Sequence, residues 1–171
     1  ENGRRGLVFG ARSALVEKAG PVVRRYHGYF FAWATIYTFW YHPMEDTWGH
    51  LFGFFYMFLL MLQGSLFFTR AHVNRRWTVV LEVTFAIHGG RVAYLAGQGW
   101  QMFLLGGLAM FIITQMHGLG LSRRARWLIA LGYGVGVAAL YSGRGVDRLP
   151  ELAGIPLTLL AGVFVLALLV L

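Results

Sequence analysis

The residues best suited to chemistry lie between two long apolar stretches, where two histidines and two carboxylates fall within nine positions: His42, Glu45, Asp46 and His50. Imidazole nitrogens and carboxylate oxygens are ligands of zinc and other borderline divalent metals. Pro43 interrupts any continuous helix, so the spacing does not put the four on one helical face. The segment predicts either a divalent-metal site or a polar loop in which Asp46 or Thr47 caps the next helix.

A second group of ionisable residues, Glu82, His88 and Arg91, lies inside an apolar stretch. At 100° per residue, His88 and Arg91 share a helical face with Thr84, and Glu82 points more than a quarter-turn away. Ionisable groups are costly at bilayer depth and usually face protein or a water-filled cavity. They predict either a functional polar site or side chains that bond neighbouring helices together.

The histidines also permit a haem b site, which needs two axial imidazoles at similar depth on facing helices. His50 and His88 form a candidate outer pair, and His27 and His117 a candidate inner pair. Glycines nearby would make room for the macrocycle. Glycines and methionines are equally ordinary in membrane helices, so packing remains the alternative interpretation.

The elements that must position these residues are apolar helices in lipid. The chain has 171 residues, of which 57% are hydrophobic and 13% charged, whereas soluble domains carry about 25% charged residues. Apolar runs of nearly spanning length cover residues 26–41, 47–69, 77–97, 100–117, 127–142 and 152–171. Because lipid offers backbone groups no partners, these runs must be helical. The prediction is an all-α polytopic transmembrane bundle of about six spans.

Charge along the chain predicts its orientation. Arginines concentrate before the first run and in the second and fourth connectors, whereas the intervening connectors are acidic, uncharged or balanced. The positive-inside rule then places both termini in the cytoplasm, and a bacterial inner membrane is the expected location. Residues 1–21 are predicted to be a cytoplasmic tail or an amphipathic helix on the inner surface, followed by one transmembrane domain over 22–171.

Composition and spacing exclude several classes of function. The absence of cysteine excludes disulfides, thiolate metal sites and cysteine nucleophiles. The net charge of +8 is explained by membrane orientation, so nucleic acid is not an expected partner. Gly132 and Gly136 form a small-xxx-small pattern that predicts close helix contact rather than nucleotide binding, because no βαβ unit surrounds it.

Three functions remain open. The first is a small non-catalytic subunit of a larger energy-converting or transport complex, packed against other subunits or copies of itself and holding a haem or pigment. The second is a membrane enzyme acting on a lipid or quinone-like substrate at the outer His/Glu/Asp site. The third is a small oligomeric transporter or channel that uses Glu82, His88 and Arg91.

Overall fold

The computed structural model describes residues 5–41 and 48–171, and every regular element within these ranges is helical. The all-α prediction is therefore confirmed, with 81% of the residues helical. The six α-helices are α1 (Ala14–Tyr41), α2 (Trp48–Ser65), α3 (Arg75–Leu95), α4 (Trp100–Ile113), α5 (Arg123–Arg144) and α6 (Gly154–Leu169). A first 3₁₀ helix, Gln115–Gly118, follows α4, and a second, Val146–Ala153, precedes α6.

Helix α1 is longer than the apolar run that predicts it. It has 28 residues and a length of about 42 Å at 1.5 Å per residue. It passes through residue 21, where the sequence suggested a boundary between a tail and the transmembrane domain. Pro21 removes one backbone donor, but Val16 and Ala19 are buried with Leu7 and Ala167 in a small core. This packing against α6 holds the first turns of α1.

Side-chain caps set where other helices begin. The Asn74 side chain accepts hydrogen bonds from the backbone N–H groups of Arg76 and Trp77, at 2.9 and 3.3 Å, and so starts α3. Ser122 Oγ accepts from the backbone N–H of Ala125 at 3.2 Å and starts α5. Both caps satisfy donors that the first helical turn leaves unpaired.

The helices pack in a consistent order. Helix α3 lies between α2 and α4, α6 contacts α1 and α4, and α5 rests on α4 and the second 3₁₀ helix. Glycines allow the closest approach: a Cβ added to Gly107 would lie 2.9 Å from the Cβ of Ala86, and one added to Gly90 would lie 3.0 Å from the Cβ of Leu104. Small residues therefore set the separation of α3 and α4.

The two ends of the bundle differ in what they bring together. One, called the basal end here, holds the start of α1, the connectors 66–74 and 114–122, and the last turn of α6. The N-terminal segment 5–13 is docked there, because the backbone N–H of Phe9 donates to the carbonyl of Ile113 at 2.8 Å. The opposite, apical end holds residues 96–99 and the second 3₁₀ helix.

The prediction of six spans is supported in part: the helices are present, but not all of them meet a length and hydropathy criterion for crossing a membrane. Six α-helices are present, and among the described residues one helical stretch, Val146–Leu169, is long and apolar enough to cross a membrane, with 24 residues and a mean hydropathy of 2.5. His50–Ser65 is a shorter apolar helix. The remaining helices do not meet the combined criterion of length and apolar composition.

Candidate functional site

A cavity of about 550 Å³ opens at the basal end among α1, α3, α6, the connector 66–74 and the first 3₁₀ helix. Its walls are apolar on the α1 and α6 sides. Its polar lining includes Arg5, Arg24, His27, His72, Glu82 and Gln115. The volume is within the range of small-molecule sites, which are mostly apolar with a few placed polar groups.

Glu82 is the centre of a polar network in this cavity. Its Oε1 accepts a hydrogen bond from Gln115 Nε2 at 2.6 Å and lies 3.7 Å from Arg5 Nη1. Gln115 is 5% exposed. Helix α4 ends just before Gln115, where Thr114 Oγ1 donates a hydrogen bond to the Met110 carbonyl. Gln115 is the first residue of the 3₁₀ helix that follows. The network joins the N-terminal segment, α3 and the α4–α5 connector.

Arg5 has donor capacity left over. Its Nε is buried and donates to no acceptor among the described residues. A guanidinium carries five N–H donors and no acceptor, and Glu82 engages it at ion-pair distance. The Nε itself is buried, so a ligand in the cavity would meet the accessible part of the Arg5 side chain, which is 19% exposed.

The two histidines of the cavity have defined tautomers. His27 Nδ1 lies 2.7 Å from the Arg24 carbonyl, and His72 Nδ1 lies 3.1 Å from the Gln63 carbonyl. A carbonyl oxygen only accepts, so each Nδ1 must carry the proton and donate it. In the neutral imidazole, Nε2 is then an acceptor. The ring centroids are 6.1 Å apart, so the two imidazoles lie close together in the cavity.

Gln63 holds the connector that carries His72. Its side-chain Oε1 accepts from the indole Nε1 of Trp77, and its Nε2 donates to the backbone carbonyl of His72 at 3.4 Å. Together with the bond from His72 Nδ1 to the Gln63 carbonyl, these contacts tie the end of α2 to the start of α3. His72 is thereby positioned by both helices.

The three ionisable residues predicted on α3 have three different environments. Glu82 belongs to the basal network. His88, six residues and about 9 Å further along the helix, stacks on Tyr56 with centroids 5.4 Å apart and lies 6.1 Å from Phe52. Arg91 is exposed and lies over the ring of Tyr94 at 5.7 Å. Glu82, His88 and Arg91 therefore do not line one continuous polar path.

The two histidines of the predicted inner haem pair have different ring neighbours, and whether a haem joins them stays a prediction. The ring of His27 lies beside Phe67 and His72, at 5.4 and 6.1 Å, whereas His117 lies beside Phe9 at 5.8 Å. Phe67 lies 4.8 Å from His72 and so stands beside both imidazoles.

His50 and His88, the predicted outer pair, lie close to each other in depth along the bundle. His50 is in the first turn of α2, and His88 contacts Phe52 and Tyr56 of the same helix, so His88 lies one to two turns further in. His50 is half-buried. Whether a haem joins the two histidines stays a prediction.

Most of the predicted metal site lies outside the described residues, which exclude His42, Glu45 and Asp46. Its remaining member, His50, belongs to α2. Within 5–41 and 48–171 the structure contains no group of three or more His, Asp or Glu side chains that could hold a metal ion. The divalent-metal site therefore remains an expectation from the sequence.

A second polar cluster, at the apical end, was not predicted as a unit. Arg144 pairs with Glu151 through two contacts, Nε to Oε1 at 2.5 Å and Nη2 to Oε2 at 3.1 Å. The hydroxyl of Tyr141 donates to Glu151 Oε1 at 2.7 Å, and Arg144 Nη1 donates to Gln101 Oε1 at 3.5 Å. The cluster joins α4, α5 and the second 3₁₀ helix, which is a structural role. Opposite charges seven residues apart were its signal in the sequence.

Comparison with known proteins adds no assignment: no protein-family model, no curated protein and no solved structure matches the chain. The candidate site therefore rests on its own geometry. The residues that sequence reasoning missed are Gln63 and Gln115, together with the role of Arg5 as the partner of Glu82.

Proposed function

We propose that the protein is an integral membrane protein whose six helices cross a bilayer, and that it works as a non-catalytic subunit of a larger membrane complex. The observation that carries this proposal is the outward apolar surface of the long helices. Trp33 is 60% exposed, Trp40 84% and Leu131 65%. Soluble monomers rarely expose contiguous apolar patches above a few hundred Å², so lipid is the solvent that suits this surface.

The charges at the two ends support the orientation with both termini in the cytoplasm. The basal end collects the arginine-rich segments: the N-terminal segment, residues 70–76 and residues 123–126. At the apical end, residues 97–99 are uncharged, and Arg144 and Arg148 balance Asp147 and Glu151. Cytoplasmic connectors carry an excess of Lys and Arg, so the basal end is assigned to the cytoplasm.

The open face of α5 supports a subunit rather than a lone protein. A Cβ built on Gly132 or Gly136 would meet no atom within 4 Å among the described residues, and Leu128 and Val135 on the same side of the helix are exposed. Small residues at this spacing let a second helix approach closely in lipid. A helix of another subunit, or of a second copy of this chain, would cover the face.

The alternatives have less support. A membrane enzyme with an outer metal site depends on residues 42–46, which lie outside the described ranges. A transporter or channel lined by Glu82, His88 and Arg91 needs a shared path, and their separate environments do not favour one. A haem held by His50 and His88 remains compatible with the subunit, and an absorption spectrum of the purified protein tests it through the Soret band.

Topology is tested by single-cysteine labelling, because the chain contains no cysteine. We expect Gln98→Cys, at the apical end, to react with a membrane-impermeant maleimide on intact cells, and Arg123→Cys, at the basal end, to react only after permeabilisation. Labelling of both from the same side would refute the six-span arrangement. The subunit role is tested by extraction in native nanodiscs, where a lone monomer would contradict it.

A further inference from the structure

We propose that the basal cavity binds the headgroup of an anionic phospholipid, specifically a phosphodiester that carries hydroxyl groups, as phosphatidylglycerol does. Placing this site against the cytoplasmic leaflet rests on the orientation proposed above. The chemistry of the cavity is independent of that orientation.

The charge of the lining favours an anion. Arg5 and Arg24 contribute two guanidinium groups, and Glu82 is the one carboxylate among the residues that line the cavity. Because Glu82 already accepts a hydrogen bond from Gln115, it takes up only part of the donor capacity of Arg5. The exposed guanidinium of Arg24 and the accessible part of the Arg5 side chain remain for a phosphate, which Arg recognises through paired N–H donors.

The histidines add a preference for hydroxyl groups. Since His27 and His72 each donate through Nδ1 to a backbone carbonyl, the Nε2 atom of each neutral ring is an acceptor. A phosphate oxygen cannot donate to it, whereas a hydroxyl can. A headgroup with a phosphodiester for the arginines and hydroxyls for the imidazoles satisfies both sets of groups.

The apolar walls favour a lipid over a free phosphate ester. Val16 and Val23 of α1 and Val163, Leu166 and Ala167 of α6 line the cavity. On α6 this wall adjoins outward-facing side chains, among them Leu168 and Leu169. Acyl chains can lie along this surface while the headgroup occupies about 550 Å³. Basic pockets between membrane helices on the cytoplasmic side are sites of anionic lipid recognition.

The test uses the full chain purified in a neutral detergent and titrated with short-chain lipids, with binding followed by native mass spectrometry. Phosphatidylglycerol should bind more tightly than phosphatidylethanol, which has the same net charge but no hydroxyl group, and phosphatidylcholine should bind weakest. Arg24→Gln should weaken phosphatidylglycerol binding about tenfold, the size expected for a lost hydrogen bond to a charged group. Arg124→Gln, an equal charge change at an exposed basal position outside the cavity, should leave it unchanged.

Two further arms make the outcome decisive. His27→Phe keeps a ring beside Phe67 but removes the Nε2 acceptor, so the preference for phosphatidylglycerol over phosphatidylethanol should disappear. Glycerol 3-phosphate, the probe for a soluble ligand, should compete poorly. Equal weakening by Arg24→Gln and Arg124→Gln would refute the site, because it would show that phosphatidylglycerol binds to the general surface charge. Tight binding of glycerol 3-phosphate would show that the ligand of the cavity is a soluble phosphate ester rather than a lipid. Neither outcome depends on which side of the membrane the basal end faces. The lipid-binding proposal and the topology tested by cysteine labelling can therefore fail independently.

Discussion

At the residue scale, Glu82 shows how a costly charge is accommodated between helices. The sequence left two interpretations open, a functional polar site or a side chain that holds helices together. Its contacts with Gln115 and Arg5 favour the second, and the same contacts place a carboxylate at the edge of the basal cavity. A residue that stabilises the fold therefore also sets the charge of the candidate site.

We expect Glu82→Gln to destabilise the protein by about 1–2 kcal/mol, because the partly buried Arg5 loses its anion. Glu17→Gln is the matched control: Glu17 pairs with Arg12 at 3.6 Å, but both side chains are about half exposed or more, at 48% and 62%. Exposed pairs contribute about 0–1 kcal/mol. Thermal unfolding in detergent measures both variants, and equal effects would show that Glu82 is no more than a surface charge.

At the element scale, the N-terminal segment depends on a turn that only glycine accommodates well. Gly6 has φ +66°, and a Cβ there would lie 2.5 Å from the carbonyl oxygen of Ala11. We expect Gly6→Ala to loosen the segment at a cost of about 1–3 kcal/mol. Limited trypsin digestion should then cleave faster after Arg12. Gly20→Ala, inside α1 where a Cβ finds ordinary contacts, should leave the rate unchanged; equal acceleration would argue against the turn.

The proposed interface on α5 can be tested at this scale, because the glycines of α5 face open space whereas those of α4 pack against neighbouring helices. Gly132→Leu adds a side chain where nothing lies within 4 Å, so the stability of the isolated chain should change by less than about 1 kcal/mol. It should nevertheless block assembly with a neighbouring helix, seen as loss of the larger species in native nanodiscs.

Gly107→Leu is the control for this experiment. It forces a side chain against Ala86 at the α3–α4 contact, and overpacking of this kind costs about 1–3 kcal/mol or more. Unchanged assembly in the Gly132→Leu variant would remove the open face of α5 from consideration as an interface.

At the scale of the whole molecule, the exposed tryptophans report on the surrounding solvent. Trp33 lies in the middle of the first predicted span and is 60% exposed. In vesicles, lipids brominated deep in the acyl chain should quench its fluorescence, and the difference between the wild-type chain and Trp33→Phe isolates that signal. Quenching of Trp33 by aqueous iodide instead would contradict a bilayer around the bundle.

The helices could largely be predicted, whereas the cavity could not. Apolar runs locate all six α-helices, but their ends depend on local bonds that hydropathy does not register. The cap at Ser122 starts α5 at Arg123, within a polar stretch before the predicted run, and the Thr114 hydroxyl ends α4 at Ile113, before its run is complete. Polar residues can extend a helix beyond lipid, so apolar length and helix length differ.

The site was predicted in part because charge and histidine stand out in an apolar chain. Glu82 and His27 were identified in this way, and both line the cavity. Gln63 and Gln115 carry no charge and follow no period, so nothing local distinguishes them. The pairing of Arg5 with Glu82 depends on long-range packing, which residue spacing does not encode.

The docking of the N-terminal segment has a consequence for biogenesis. The backbone bond from Phe9 to Ile113 and the core of Leu7, Val16, Ala19 and Ala167 join the segment before α1 to the end of α4 and to the last turn of α6. Contacts between such distant residues form late. During synthesis, the segment before α1 therefore stays undocked until α6 has been made, and its docking is a late step of folding.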